Sequence, residues 1–135
     1  MTIIEQARAL GAALQQDELY KSYMAAAEKV DKAPAVQKKI GEFNNMRHEL
    51  SIEMAKADKD ADRLTALDTD IRATYDEIMA MPEMDEFNRE KEKFDKLMKS
   101  IDYILSQAAN GEDPMTCSET APACSGSCAT CGGCG

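Results

Sequence analysis

The sequence predicts an all-α fold, an elongated antiparallel helical hairpin or bundle, followed by a cysteine-rich C-terminal tail that is either disordered or ordered by a metal. Three observations carry this reading. Apolar residues recur three and four apart through most of residues 1–110, and no segment shows sustained alternation of β-branched residues between turn residues. Proline stands where helices would begin, at Pro34 and Pro82, and Asn110-Gly111 stands where the last would end. All five cysteines fall between Cys117 and Cys134.

The elements follow in order. Thr2-Ile3-Ile4-Glu5 fits a capping box, and Ile3, Ala7, Leu10 and Leu14 continue it at helical spacing. Asp17 and Glu18 open a second helix bearing Leu19, Tyr20, Tyr23, Met24, Ala27 and Val30, which stops at Ala33-Pro34. Pro34 suits the first turn of a third helix, with Val36, Ile40, Phe43, Leu50 and Met54 on its apolar side. The mixed charges of residues 58–63 mark a turn or a solvated helical passage before Leu64, Leu67, Ile71, Tyr75 and Ile78. Pro82 then starts a long helix, where Met84, Phe87, Phe94, Met98, Ile101 and Leu105 form a stripe that only Lys91 interrupts. At 1.5 Å per residue it would run roughly 40 Å, which calls for partner helices, including ones from another subunit. The stripe reads as core, and hairpins of this kind commonly complete their core by dimerising.

Composition limits the function. A net charge of −9, from 16 Lys and Arg against 25 Asp and Glu, disfavours direct contact with nucleic acid or an anionic membrane. The N-terminus has neither a basic region nor a long apolar run, so the expectation is a cytoplasmic protein without signal peptide or membrane span. In that compartment clustered thiols point to metal or redox chemistry rather than to disulfides. His48 is the single histidine and lacks the second histidine of a helical zinc motif. The carboxylates Glu83, Asp85, Glu86, Glu90 and Glu92 read as a solvated helix face. Ser118, Ser125 and Ser127 have no histidine beside them to act as base. No enzyme is expected.

The domain boundary is expected at a change of composition: a helical domain over 1–110 and a Gly/Cys-rich tail over 111–135. The tail has no Ile, Leu, Val, Phe, Tyr, Lys or Arg and cannot build an apolar core. Cys117, Cys124, Cys128, Cys131 and Cys134 are its candidate metal ligands, and the last four read CxxxCxxCxxC with Gly126, Gly132 and Gly133 between them. Glycine allows the tight turns that several thiolates around one centre impose. Three solutions fit these soft ligands: a four-thiolate zinc site, an iron-sulfur cluster, or a thiol site for copper or redox exchange. The crowded spacing favours the cluster over a zinc site, which more often pairs two CxxC knuckles across a longer loop. The competing reading is a tail with no fixed ligand. Cys128-Ala129-Thr130-Cys131 and Cys131-Gly132-Gly133-Cys134 each match a redox CxxC, yet the βαβ setting of a thioredoxin-like protein is missing.

Three segments carry a resemblance: Ile4-Glu5-Gln6-Ala7-Arg8-Ala9-Leu10-Gly11, Leu19-Tyr20-Lys21-Ser22-Tyr23, and Met84-Asp85-Glu86-Phe87-Asn88-Arg89-Glu90 running on through Phe94 to Ile104. In these the chain resembles the YlbF/YmcA family of bacterial regulators of competence, sporulation and biofilm formation, over residues 1 to about 110. The resemblance implies a helical hairpin that forms homo- or hetero-oligomers. It also implies, for some members, a complex with a YaaT-type partner that carries 4Fe-4S clusters and modulates the endoribonuclease RNase Y. By that likeness Cys124, Cys128 and Cys131 are carried over as cluster ligands, with Cys134 next in line as the fourth and Cys117 the last of the five candidates. Other members have no cysteine tail.

Overall fold

The computed structural model describes residues 1–122, and all its regular structure is helical: α1 (Ile3–Gln16), α2 (Glu18–Lys32), α3 (Pro34–Ala55), α4 (Ala61–Ala80) and α5 (Pro82–Ala109). No strand occurs among the described residues. The chain divides into two compact units, Met1–Phe94 and Asp95–Gly135.

Local chemistry sets each boundary in the first unit. The Thr2 hydroxyl accepts the Glu5 N–H at 3.1 Å while the Thr2 N–H donates to the Glu5 carboxylate at 2.7 Å, so the capping box is complete. Asp17 alone separates α1 from α2. Its extended backbone, φ −72° and ψ 142°, ends one helix, and its carboxylate accepts the Leu19 N–H at 2.9 Å to cap the next. Ala33 and Met81 are also one-residue corners, each extended and each followed by a proline at the first helical position. The clash between a proline ring and the preceding residue disfavours helical backbone there, so both corners follow directly from Pro34 and Pro82. Gln37 reinforces the first corner by donating to the Val30 carbonyl at 2.9 Å.

Residues 56–60 form the turn left open by the sequence, and α3 and α4 fold back on each other around it. The register is constant. Lys39 meets Glu77 at 2.8 Å, Phe43 meets Tyr75 at 6.2 Å between ring centroids, and Lys29 meets Glu86 at 2.9 Å. Each pair lies nearly symmetrically about that turn, so the antiparallel pairing continues past the two corners from α3–α4 into α2 and the start of α5. There Tyr23 stacks on Phe94 at 5.3 Å and on Phe87 at 5.5 Å, with Tyr20 tilted against Phe94 at 5.9 Å.

The core sits where the two proline corners face each other. Val36, Ile78 and Met84 are buried, with Val30, Ala33, Ile40, Phe43, Met79, Met81 and Phe87 packed around them. Not all of the predicted seam is core: Met54 and Tyr75 stay 56% and 49% exposed. Two helices have only one mutual face, so apolar residues at its edge or beyond it are only partly covered in this unit.

Sequence spacing gives no sign of the role of Glu53. Its side chain is buried at the end of α3, where it accepts the Lys56 ammonium at 2.7 Å and the Asp60 N–H at 3.0 Å, with the Arg63 guanidinium at 3.8 Å. It thereby ties the α3–α4 turn to both flanking helices. The Lys56 hydrogen bond, then the Asp60 N–H, hold its carboxyl below the ordinary 4.5. A depressed carboxyl stabilises the fold above its unfolded value and loses that contribution as pH falls through its folded value. Thermal melts from pH 7 to pH 3 are expected to show a fall in midpoint beginning below about pH 4.5. Glu53→Gln is expected to lower the midpoint at pH 7 and to flatten the acid-side fall.

Candidate functional site

The predicted ligands lie in the second unit. Cys124, Cys128, Cys131 and Cys134 fall outside the described residues, and Cys117 is the predicted ligand whose setting the structure describes. The path to it begins at the end of α5. Gly111, at φ +94°, donates to the Ala108 carbonyl at 3.1 Å, and Glu112 donates to the Gln107 carbonyl at 3.0 Å. These two bonds with a left-handed residue make a Schellman cap, the stop that Asn110-Gly111 foretold.

Beyond the cap the backbone is held by its own short-range bonds. The Asp113 carboxylate accepts the Met115 N–H at 2.9 Å, and the Asp113 carbonyl accepts from Thr116 at 3.2 Å and from Cys117 at 2.9 Å. The Cys117 thiol is partly exposed, with Sγ 3.8 Å from the Pro114 carbonyl. Ser118 then closes a further turn, its hydroxyl accepting the Thr120 N–H at 3.2 Å and donating to the Thr120 carbonyl at 2.9 Å. Local bonds of this kind let a segment that buries no large apolar side chain take up a fixed course.

The segment returns along α5. Lys96, Lys99, Tyr103 and Ser106 share one face of the helix, and together with Glu119, Thr120 and Ala121 they line a groove of about 580 Å³. This juxtaposition is not legible in residue spacing, because it depends on the chain reversal at Gly111. Among the described residues no group of three or more His, Cys, Asp or Glu side chains is placed to hold a metal ion. His48 is exposed on α3. The Lys32 ammonium, by hydrogen bond and charge, lowers the carboxyl of Glu28 on α2, a surface ion pair with no further donor. No helix among the described residues is long and apolar enough to cross a membrane.

Helices paired antiparallel about a short turn, with the reactive side chains confined to a segment after the last helix, define a helical-hairpin scaffold. Comparison with family models places it more closely. The model for control of the competence regulator ComK, YlbF/YmcA, matches residues 3–110, and the chain belongs to the YlbF/YmcA family. The family is one of regulators, and the match ends where the Schellman cap closes α5. Neither the curated proteins nor the solved structures contain a match to this chain.

Proposed function

We propose that this chain is a non-catalytic regulatory adaptor whose 1–110 domain contacts protein partners and whose 111–135 tail carries an iron-sulfur cluster. The observation behind it is a division of labour: family membership covers 3–110, and every cysteine lies beyond that range. The donor chemistry fits, since Cys124, Cys128, Cys131 and Cys134 offer four thiolates to one centre with glycines between them. When bound, a 4Fe-4S cluster would supply sensitivity to iron and to oxidants. The chain's own part is to supply four deprotonated sulfurs to one centre. Four thiolates already complete the ligand set of one cluster, so Cys117→Ser is expected to leave the iron content of the protein unchanged, as measured by iron analysis after anaerobic purification.

The acidic helical domain suits binding of proteins more than RNA. In this reading it joins homo- or hetero-oligomers with YlbF/YmcA- and YaaT-type proteins, acts on RNA processing through RNase Y, and works in the cytoplasm on competence, biofilm formation and sporulation. The test is recovery of the tagged chain from its native host under anaerobic lysis. These proteins are expected to co-purify with it, and fewer of them once the four tail cysteines are serine. Recovery of the chain alone, or the same set of partners from both forms, would count against the reading. Zinc is the alternative metal, since four thiolates also complete a tetrahedral zinc site.

A further inference from the structure

We propose that the groove between α5 and the segment returning along it is the seat of residues 123–135, where Lys96 and Lys99 supply the counter-charge to the metal centre held by the tail thiolates. The proposal rests on the metal-bearing reading of the tail above and gives that centre a place. The groove, about 580 Å³, has Lys96, Lys99 and Tyr103 on its α5 wall and Glu119, Thr120 and Ala121 on the other. A concave space of that size suits a compact bound group.

Two constraints name the occupant, and the first is covalent. The described chain ends at Pro122, directly after Ala121 in the groove wall. Three residues of extended chain span at most roughly 11 Å, so Cys124 lies no farther than that from Ala121. Ligands to one centre converge on it, and the short tether of Cys124 therefore keeps the centre beside the groove. The second constraint is charge. Four thiolates carry more negative charge than a zinc ion or a 4Fe-4S core carries positive, so the assembled centre is an anion with either metal. Residues 111–135 contain no Lys, Arg or His to offset it, and Glu112, Asp113 and Glu119 add to the negative charge. Lys96 and Lys99 are the only cationic side chains from residue 95 to residue 135, and both line the groove. With Tyr103 they follow at i, i+3 and i+7 on α5, so two ammoniums and a phenol offer hydrogen bonds from one face. Asp102 stands at the edge of that face, and Glu119 works against the lysines from the other wall. Charge and hydrogen bonds around the ligand sulfurs govern how firmly a metal is held.

Release of metal from the anaerobically purified full chain tests this, with a chromogenic ferrous-iron chelator for the cluster and a chromogenic zinc chelator for zinc. The double variant K96E/K99E is expected to release its metal about tenfold faster than wild type or more, with unchanged helicity by circular dichroism. K96Q/K99Q is expected to fall between the two, which keeps the test decisive if the glutamates disturb α5. Lys99→Arg, which keeps the charge, and K38E/K59E, which makes the same change in net charge within the first unit, are expected to stay close to the wild-type rate. Glu119→Gln is expected to slow release. Equal rates for K96E/K99E and K38E/K59E overturn the groove as the seat and leave the metal-bearing tail standing. A wild type that holds neither iron nor zinc overturns the seat and the reading beneath it together.

Discussion

Ile78→Ala is expected to lower the stability of the helical unit by about 2–4 kcal/mol. Ile78 is 4% exposed and lies in the cluster of Val36, Ile78 and Met84, at the level where the Ala33 and Met81 corners meet. Proline fixes the backbone on both sides of this point, which limits how far the corners can close over a missing side chain. The residual cavity therefore adds to the lost transfer energy. A fall in thermal midpoint on the order of 10 °C or more is expected from circular dichroism, given the size of the unit. Met54→Ala, at a site 56% exposed on the same hairpin, is expected to change stability by less than about 0.5 kcal/mol. Equal losses at the two sites would mean that the corner cluster is not the centre of the fold.

Replacing Cys124, Cys128 and Cys131 together with serine is expected to abolish bound iron and sulfide while leaving helicity and the thermal midpoint of the core unchanged. The reason is compositional and structural at once. Among the described residues, no cysteine belongs to the core cluster and the segment past Gly111 contributes none of the buried apolar side chains. Serine hydroxyls are far weaker ligands for iron than thiolates, so losing three of four donors leaves too few soft ligands to hold a cluster. Paired measurements on the anaerobically purified variant decide the matter: iron and acid-labile sulfide by colorimetry, and helicity by circular dichroism. Loss of helicity together with iron would show that the core and the tail are one folding unit.

How much of this could be read from the sequence depended on how local the physics was. The Thr2-Glu5 box, the corners before Pro34 and Pro82, the Asp17 cap and the stop at Gly111 each rest on a few neighbouring residues, and each stands at its predicted place. The α3–α4 turn remained open because Asp58 to Arg63 suit an exposed helix as well as a loop. What closes it is Glu53 reaching forward to Asp60 and Arg63, a contact no helical period announces. Apolar spacing named the seam but not its depth. Leu67 and Ile78 are buried, whereas Tyr75, on the same predicted stripe, turns outward because α3 and α4 alone cannot surround it. The candidate site was legible as chemistry and not as place. Thiols in a glycine-rich segment define a ligand set by composition, whereas the return of Glu119 to Ala121 along Lys96, Lys99 and Tyr103 needs the three-dimensional reversal after Gly111.

In the proposed reading, a regulator of the YlbF/YmcA family carries its inorganic chemistry on the cysteines that follow its family domain. Anaerobic purification with an ultraviolet-visible spectrum and quantification of iron, sulfide and zinc tests it most directly. A brown protein with iron and sulfide in equal amounts is expected, with visible absorbance that bleaches in air. A colourless protein free of iron and loaded with zinc would contradict it.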